Sequence, residues 1–351
     1  MKEIKVALVG CGFVADGHLR AWRRLNHAKV IAVCDLNAQL AKDTANVWEI
    51  PSYYASFSEM IRKEEANVVD ICTPPSTHAD LAVSSMETGA NVLIEKPMTM
   101  TVSDAEKIVS CQKNSGVKVG VVHNWLFESS ILEARRLVDR GLLGEVLSVE
   151  VETLNTPDDS MAANEHHWCH RLPGGRFSEM LAHPIYLARH FLGGEVATSD
   201  VRVSKLGSYP WMKSDELCAI SHVGRKLVRF YSSFNASRDS ICVNLYGREG
   251  IAKVEIVNSI LTFLPRKKTE RFSKGYDSLK QAWQIVGRTG KNVMKVLSKS
   301  WMSGPEMYIK LFSESLIGGY EPPVSAIDGL AVIKSLEEMC IKILEREKDQ
   351  S

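Results

Sequence analysis

The feature that most constrains this chain is a glycine turn between an apolar segment and a helix-like segment near the N-terminus. The run Ile4-Lys5-Val6-Ala7-Leu8-Val9 is typical of a short buried strand, and the turn Gly10-Cys11-Gly12-Phe13-Val14-Ala15 follows it directly. In a Gly-x-Gly-x-x-Gly/Ala turn, the first glycine makes the bend, the second lets the backbone approach a pyrophosphate, and the small third residue allows close helix packing. The turn therefore predicts a dinucleotide-binding unit, with the N–H groups of Phe13 and Val14 directed at the phosphates.

An acidic residue ends the second apolar run, where such units hold the adenosine ribose. Residues 30–34 predict a strand, and Asp35 follows it. A carboxylate there can accept hydrogen bonds from both ribose hydroxyls, and its charge repels the 2′-phosphate of NADP. The sequence therefore favours NAD over NADP as the cofactor. The alternative is an ordinary tight turn at the glycines with Asp35 as a helix cap.

Strands and helices alternate up to residue 123, and the pattern then changes. Further strands are predicted at 68–72, 91–94 and 117–122, and helices at 14–25, 37–48, 78–88 and 102–114. This alternation predicts an α/β fold with a doubly wound parallel sheet.

After a helix at 130–140, strand-like segments dominate and predict a large, mostly antiparallel sheet in an α+β domain. They lie at 145–154, 201–206, 217–223, 226–234, 240–246 and 251–256. We therefore expect a Rossmann domain over 1–123 and a substrate-binding and oligomerisation domain over 124–351. The closing helix, at 326–345, is a candidate to pack back on the first domain.

The composition is that of an ordinary globular protein with enough apolar residues for two cores. Of 351 residues, 45% are hydrophobic and 24% are charged, and the net charge is +1. This balance gives no reason to expect nucleic acid as a partner. The eight cysteines form no Cys-x-x-Cys pair and are interpreted as buried thiols. With no leader-like segment and no run of eighteen apolar residues, we expect a cytoplasmic protein.

A charged pair ends the fourth predicted strand of the first domain. Glu95 and Lys96 follow Val92-Leu93-Ile94 and precede Pro97, a candidate for a cis peptide. This edge of a parallel sheet is where α/β proteins bind ligands. An ammonium group there can donate a hydrogen bond to a substrate oxygen that changes between alcohol and carbonyl. The alternative is a surface salt bridge between the two side chains.

Several segments together resemble the glucose-fructose oxidoreductase / inositol dehydrogenase / MocA (Gfo/Idh/MocA) family. They are the glycine turn, Cys72-Thr73-Pro74-Pro75-Ser76-Thr77-His78, Glu95-Lys96-Pro97 and the stretch from Val146 onward. The resemblance implies that Lys96 is catalytic, and that the segment beginning at Thr73 borders the nicotinamide half of NAD. His78 also fits a residue that caps a helix. The cofactor contacts implied near the nicotinamide are Thr73, Pro74, His78, Glu95 and Lys96.

The family's second catalytic motif has two glycines, then Asp, then His four residues later. Here the motif spans 173–183, with Glu179 in place of Asp and His183 at the histidine position. On a helix this spacing puts both side chains on one face. The resemblance implies that His183 is the general acid/base and that Glu179 orients it or binds a sugar hydroxyl. The alternative for His183 is a core or capping histidine.

The run Asn164-Glu165-His166-His167-Trp168-Cys169-His170-Arg171 contains several residues of the kinds that bind zinc. Adjacent ligands rarely point into one tetrahedron, and Lys96 already supplies an electrophile, so we expect no metal. We interpret the run as a substrate loop whose rings stack on a sugar and whose Arg171 or Arg176 holds an anionic group. The predicted substrate contacts are Asn124, Trp125, His166, His167, Trp168 and Arg171.

Residues 266–300 form a basic segment that exceeds the connection usual in the family. Between 266 and 299, ten Lys or Arg occur against two acids, with apolar residues interleaved at helical spacing. Three interpretations remain open: a solvated helix or subunit contact, a lid over an anionic substrate, and a membrane-surface helix reaching a lipid-linked sugar.

Together these features predict an oxidoreductase that moves hydride between NAD(P) and a secondary alcohol carbon of a sugar, cyclitol or nucleotide sugar. One rival is a non-catalytic NAD-binding regulator of the same fold, against which Lys96 and His183 argue. Another is a reductase of a non-sugar ketone, imine or diene, because the substrate walls lie in the more divergent domain. The resemblance also implies a homodimer or homotetramer.

Overall fold

The structure, a computed structural model, describes residues 3–266 and 273–349. The strands in this part of the chain are β1 (Ile4–Val9), β2 (Ala28–Cys34), β3 (Ser52–Tyr54), β4 (Val68–Ile71), β5 (Asn91–Ile94), β6 (Val119–Val121), β7 (Val146–Leu154), β8 (Ala197–Ser204), β9 (Glu216–Val223), β10 (Lys226–Ser233), β11 (Ser240–Gly247), β12 (Gly250–Glu255) and β13 (Ile260–Pro265). The α-helices are α1 (Phe13–Arg23), α2 (Ala38–Trp48), α3 (Phe57–Lys63), α4 (His78–Glu87), α5 (Val102–Ser115), α6 (Ser129–Asp139), α7 (Arg176–Leu192), α8 (Ser273–Leu297), α9 (Gly304–Gly318) and α10 (Ala326–Asp349).

The chain divides into two compact units. Unit 1 comprises Met1–Asn124 and Gly304–Lys334, and unit 2 comprises Trp125–Ser303 and Ser335–Ser351. The sequence-based division placed residues 124–351 in the second domain, with the closing helix as a candidate to pack on the first, and unit 1 includes 304–334. The physical reason is that α9, which the sequence did not predict, packs along α1. Arg24 pairs with Glu306 at 2.9 Å, and His27 Nε2 lies 3.0 Å from Ser313 Oγ.

Unit 1 contains the predicted parallel sheet, with six strands in the order β3-β2-β1-β4-β5-β6. Strands β1, β4 and β5 are almost entirely buried, as expected for parallel strands covered on both faces. The register pairs Val9 with Cys34 and Ile71, and pairs Ile71 with Ile94. These four strands therefore end at one edge of the sheet, which brings the chain segments that follow them together.

Helix α9 packs closely against β6 of the unit 1 sheet. A Cβ atom on Gly120 would lie 2.7 Å from both Phe312 and Tyr308, so only glycine allows this close approach. The Tyr308 hydroxyl donates a hydrogen bond to Val324 O at 3.0 Å. These contacts anchor the chain segment around 304–324 to the sheet of unit 1.

Unit 2 is built on a seven-stranded sheet in the order β13-β12-β11-β7-β10-β9-β8. The pairing is antiparallel except between β7 and β10, so the predicted mostly antiparallel sheet is confirmed. Along β9 and β10, buried residues alternate with exposed ones, which shows that one face of the sheet is covered. Helix α7 packs on β7 and β10 and is buried along most of its length.

The predicted basic segment contains α8, a helix of 25 residues. Residues 267–272, which belong to that segment, lie outside the described residues. Of the helices within 3–266 and 273–349, none combines the length and apolar character needed to cross a bilayer.

Candidate functional site

The glycine turn at the end of β1 is held against the end of β4. Gly10 has φ +91°, a conformation that side chains other than glycine rarely adopt. A Cβ atom on Gly10 would lie 2.8 Å from the carbonyl carbon of Cys72 and 2.9 Å from Thr73 Cγ2. The first glycine therefore allows both the bend and the contact between two neighbouring loops.

The second glycine of the turn borders open space. A Cβ atom on Gly12 would meet nothing within 4 Å. Helix α1 begins at the next residue, so Phe13 and Val14 carry N–H groups of the first helical turn, which have no acceptor within the helix. Ala15 is buried in the core with Leu8. The turn thus has a close-packed side and an open side from which N–H groups can bind an anion.

Asp35 is oriented by the glycine turn itself. Its Oδ2 accepts a hydrogen bond from Cys11 N at 2.9 Å, and its Oδ1 accepts one from Asn37 N at 2.8 Å. A carboxylate oxygen can accept more than one hydrogen bond, so these contacts leave capacity for ribose hydroxyls. The capping role weighed for Asp35 belongs to Asn37, whose side chain accepts from Gln39 N and Leu40 N.

The Thr73–His78 segment joins the end of β4 to the turn after β5. His78 is fully buried, with Nε2 2.7 Å from Thr73 O and Nδ1 3.1 Å from both Pro97 O and Met98 O. Burial lowers its pKa, which favours the neutral ring. Thr73 is half-buried and Pro74 is exposed. The buried ring of His78 therefore contacts backbone carbonyl groups of both the loop after β4 and the loop after β5. Thr73 and Pro74 lie nearer the surface.

Lys96 follows a buried carboxylate at the end of β5. Glu95 is buried and accepts a hydrogen bond from the backbone N–H of Lys96 at 2.9 Å. Its other carboxylate oxygen lies 2.9 Å from His18 Nε2. The Lys96–Pro97 peptide is cis, as the sequence suggested. The buried Glu95 carboxylate therefore holds the backbone of Lys96 in place, while the Lys96 side chain is half-buried.

The interior group beneath Lys96 includes residues that the sequence did not single out. His18 Nδ1 lies 2.9 Å from Asp70 Oδ2, and Trp22 Nε1 donates to the same carboxylate at 2.7 Å. In the described part of the chain, His18, Asp70 and Cys72 are the grouping close enough to share a metal ion. The His18–Asp70 separation is that of a direct hydrogen bond, so we describe the group as a hydrogen-bond network.

The predicted helix that carries His183 is α7, which starts after two glycines. Gly174 and Gly175 have φ values of +80° and +60°, which explains the glycine pair in this motif. His183 is buried, and its Nδ1 lies 2.6 Å from the hydroxyl of Tyr186, one turn along α7. The ring of His183 stacks on Trp125 with 3.8 Å between ring centroids.

Tyr186 links the two aromatic partners of His183. Its hydroxyl oxygen accepts a hydrogen bond from Trp125 N at 3.0 Å and contacts the histidine ring. Trp125 belongs to a short 3₁₀ helix, Asn124–Phe127, whose first residue, Asn124, is half-buried. A stacked indole and a hydroxyl group thus both act on the orientation of the imidazole.

Glu179 takes part in a buried charge cluster on the first turn of α7. The Arg176 guanidinium forms ion pairs with Glu179 and, at 2.8 Å, with Asp159. It also lies over the ring of Phe234. Burial opposes the charged form of Asp159, but the neighbouring Arg176 lowers its pKa. The two Nη groups of Arg176 are thus directed at internal carboxylates, whereas Arg171, the other arginine interpreted as a clamp for an anionic group, is exposed.

The predicted substrate loop contains a short 3₁₀ helix, Trp168–Arg171. His166 and Arg171 are exposed, whereas His167 and Trp168 are half-buried with their rings 5.2 Å apart. Burial and the charge of Arg176 lower the pKa of His167. His170 is directed at Met161 O at 2.9 Å. The rings and the exposed arginine remain candidates for substrate contact.

The eight cysteines are free thiols, and five of them are buried. Burial raises the pKa of Cys11 to about 11 and that of Cys72 to about 12, so both remain protonated at neutral pH. The expectation of buried thiols is wrong for Cys218, which is exposed on β9, and Cys111 and Cys242 are half-buried.

Comparison with known proteins identifies both units. Residues 4–123 match the model of the oxidoreductase family with an NAD-binding Rossmann fold, and residues 131–253 match the GFO/IDH/MocA C-terminal domain. The chain belongs to the GFO/IDH/MocA oxidoreductase family. Unit 1 is therefore an NAD-binding domain, in agreement with the predicted cofactor.

Curated relatives of this GFO/IDH/MocA protein include Oxidoreductase P35 of Formosa agariphila. That protein is 30% identical in a match covering 54% of this chain and 61% of the relative. D-apiose dehydrogenase of Paraburkholderia graminis is 29% identical over 41% of this chain and 38% of the relative. The chain thus spans about three fifths or less of the length of these relatives.

Solved structures show the same fold over nearly the whole chain. The WlbA dehydrogenase from Bordetella pertussis, in complex with NADH and UDP-GlcNAcA, superposes with a TM-score of 0.78. The two proteins are 18% identical, and the match covers 100% of this chain and 97% of the other. The similarity establishes the two-domain architecture of the GFO/IDH/MocA protein.

Proposed function

We propose that this chain is an NAD-dependent oxidoreductase acting on a secondary alcohol or ketone carbon of a sugar, cyclitol or nucleotide sugar. The observation that carries the proposal is the placement of Lys96. This lysine directly follows a buried carboxylate at the ligand-binding edge of an NAD-binding sheet. A salt bridge between Glu95 and Lys96 with a purely structural role would not require the buried network of His18, Asp70 and Glu95 that holds the Lys96 backbone.

The residues around the glycine turn fit NAD. Gly12 leaves open space beside the first N–H groups of α1, which suits a pyrophosphate. Asp35 supplies a carboxylate for the ribose hydroxyls and a charge that opposes a 2′-phosphate. When bound, NAD accepts or supplies the hydride at its nicotinamide ring. Thr73 and Pro74 follow β4 and are candidates to contact that half of the cofactor.

In this proposal Lys96 donates a hydrogen bond to the reacting oxygen of the substrate. A positive charge fixed at that position stabilises the negative charge that develops on the oxygen as its carbon is oxidised. Glu95 and His18 are positioning residues, because they hold the backbone of Lys96 and need not touch the substrate.

We assign the proton transfer to the imidazole of His183. Nδ1 already faces the Tyr186 hydroxyl, which fixes the plane and direction of the ring. A neutral imidazole can take the hydroxyl proton of an alcohol or return it to a ketone. Glu179 assists electrostatically from the first turn of α7, where it neutralises Arg176.

The proposed substrate class rests on the relatives and on the aromatic loop. The relatives named above include a dehydrogenase of D-apiose and one crystallised with UDP-GlcNAcA. Half-buried Trp168 and His167 offer ring faces of the kind that stack on sugars, and exposed Arg171 can bind a carboxylate or phosphate. His166 and Asn124 are further candidates for hydrogen bonds to hydroxyl groups.

The test is a screen of purified full-length protein for NADH formation with apiose, inositols, aldoses and UDP-sugars. Lys96→Met should abolish turnover with the active substrate while the Kd for NADH changes by no more than a few fold. Lys113→Met is the matched control, because Lys113 is exposed at the end of α5, and it should retain wild-type turnover. NADH binding without any turnover difference between the two variants would contradict the catalytic assignment.

We further propose a homo-oligomer in a reducing, cytoplasmic environment. The uncovered face of the unit 2 sheet exposes Ile220, Leu227 and Tyr231, and an open face of this kind can pair with a second copy. The free thiols agree with a reducing compartment. Light scattering of the purified protein tests the oligomeric state, and a monomer mass would contradict it.

A further inference from the structure

Helix α8 packs against the rest of unit 2 through its polar face. Gln284 Nε2 donates to Phe263 O at 3.0 Å, and Gln284 Oε1 accepts from Phe263 N at 2.7 Å. Four residues on, Arg288 forms an ion pair with Glu133, and four residues further Asn292 donates to Ser259 O at 3.0 Å. Because residues four apart lie on one helix face, this polar stripe is the face that contacts β13, the turn before it and α6.

The opposite face of α8 is apolar and exposed. Trp283 is 74% exposed and Leu297 is 71% exposed. The spacing of three or four residues places seven exposed side chains on one stripe, while Ile285 and Val296 are exposed outside it. The stripe consists of Tyr276, Leu279, Trp283, Val286, Val293, Met294 and Leu297. An ordinary surface helix turns its apolar side to the core, so the reversed orientation of α8 indicates a surface that another body covers.

The charge of this helix indicates what covers it. Residues 273–299 contain six Lys or Arg and a single acid, Asp277. Lys291 and Lys295 are exposed along the helix. Two copies of α8 packed together would repel each other, because each carries six positive charges and only one negative charge to compensate. The partner surface is therefore anionic.

A cleft beside α8 adds to this positive charge. The cleft lies between α6 and α8 and has a volume of about 460 Å³. Its walls include Arg136, Arg140, Arg288 and Lys291, and Glu133 is the acid among the lining residues. Arg136 and Arg140 are exposed. Anionic headgroups would find several guanidinium groups here, next to the apolar stripe.

We propose that α8 binds the surface of an anionic lipid bilayer. The helix would lie in the membrane plane, with its stripe among the acyl chains and its lysines and the cleft arginines at the headgroups. Nucleic acid matches the charge but does not bury Leu, Val and Trp side chains. A lipid interface matches both, and it favours Trp and Tyr at the boundary. The proposal is independent of the oxidoreductase activity.

The test is flotation of full-length protein with vesicles of phosphatidylcholine alone or with about 30 mol% phosphatidylglycerol. We expect flotation with the anionic vesicles only, weakened by added salt because the charge attraction is screened. Vesicles with brominated acyl chains should quench the tryptophan fluorescence of the wild type. This quenching should fall when Trp283 is replaced.

Two variants separate the apolar and the charged contributions. Trp283→Gln with Val286→Gln should abolish flotation without loss of fold, because both side chains are exposed. Lys291→Gln with Lys295→Gln should weaken binding by roughly fivefold per lysine. Leu206→Gln is the matched control, since Leu206 is an exposed leucine outside α8, and it should float like the wild type. Circular dichroism and the Tm check the fold.

Three results would overturn the proposal. The first is no flotation with anionic vesicles at low salt. The second is flotation that the Trp283 and Val286 double variant retains. The third is lipid-free association that this variant abolishes, because the stripe would then be an interface between copies. None of these flotation results depends on NADH turnover. Failure of the membrane proposal can therefore be distinguished from failure of the oxidoreductase proposal.

Discussion

The imidazole of His18 lies 2.9 Å from the carboxylate of Glu95, although 77 residues separate them in the chain. The other ring nitrogen lies 2.9 Å from Asp70. The imidazolium is the form that can donate to both carboxylates. Burial opposes the charge, but the neighbouring groups, with the charge of Asp70 foremost, together outweigh it and raise the pKa of His18 well above its usual value. His18 thereby connects helix α1 to the strand that leads to Lys96.

We expect His18→Asn to lower the free energy of unfolding by about 3 to 5 kcal/mol, because two buried carboxylates lose the cation between them. The measurement is urea denaturation of the full-length protein at neutral pH. His166→Asn is the matched control, since His166 is exposed, and its effect should stay within about 0.5 kcal/mol. Equal losses in the two variants would refute the bridging role.

The same group predicts how stability depends on pH. Because the folded pKa of His18 is raised, its contribution is complete below its unfolded pKa of about 6.5 and declines as pH rises toward the folded pKa. Burial opposes the charge of Glu95, but the hydrogen bond and charge of His18 lower its pKa, so its contribution is lost only as pH falls through that lowered value.

The stability difference between wild type and His18→Asn should therefore shrink above pH of about 6.5. The expected slope is at most about 1.4 kcal/mol per pH unit for one proton. Urea denaturation at a series of alkaline pH values measures it. A difference that stays constant from neutral to strongly alkaline pH would show that His18 is not charged in the folded protein.

The two glycines of the turn should respond differently to alanine. Gly10→Ala meets the Cys72 carbonyl and has φ +91°, so we expect a stability loss of about 2 to 4 kcal/mol. Gly12→Ala meets open space and should cost about 1 kcal/mol or less. It should nevertheless weaken NADH binding by roughly tenfold or more, because its methyl group occupies the side proposed for the pyrophosphate.

Thermal unfolding and NADH titration together distinguish these outcomes. Gly116→Ala is a useful control, because Gly116 also has a positive φ, +70°, but ends α5 without a close neighbour. It should lower the Tm without altering the Kd for NADH. Unchanged NADH affinity in Gly12→Ala would argue that the cofactor does not approach this turn.

Asp35→Asn should reduce the discrimination between NAD and NADP. The amide keeps an acceptor for one of the two N–H donors, from Cys11 and Asn37, but removes the charge that repels a 2′-phosphate. We expect NAD binding to weaken by roughly tenfold, as a charged hydrogen bond is lost, and the affinity for NADP to change less. Titration with both cofactors gives the ratio, and an unaltered ratio would contradict the role of Asp35.

The fold of unit 1 could be predicted because its information is local. Each apolar run is short, each ends at a turn residue, and a parallel sheet brings such ends to one edge. This is why Gly10, Asp35, Thr73 and Glu95, each placed at the end of a predicted strand, are found at the ends of adjacent strands. The three-residue strand β3 and the seven-residue helix α3 are too short to show a period and were missed.

Other parts of the site depend on contacts between distant residues. His18 lies on α1, and nothing in its neighbours shows that it reaches Glu95. Arg176 looked available for a substrate because the sequence does not show that Asp159 lies beside it. Helix α9 packs on α1 across some 280 residues, so its return to unit 1 could not be seen. Tyr186, by contrast, could have been identified from the sequence, because it lies one helical turn after His183.

Tyr186→Phe tests whether the hydroxyl positions the proposed acid/base. Phenylalanine keeps the ring in its buried place but removes the oxygen that contacts His183 Nδ1 and Trp125 N. We expect a stability loss of about 1 kcal/mol for the lost hydrogen bond and a fall in kcat of about tenfold, with little change in KM. The pH profile of kcat should also shift, because the imidazole proposed to transfer the proton loses a hydrogen-bond partner.

Tyr308→Phe is the matched control for this variant. It removes a buried tyrosine hydroxyl whose acceptor is Val324 O in unit 1, so the stability loss should be similar. A merely structural role of Tyr186 would lower the Tm in both variants and leave both pH profiles like that of the wild type. Only a hydroxyl that acts on His183 moves the profile in Tyr186→Phe alone, and that difference decides whether His183 is the group that exchanges the proton.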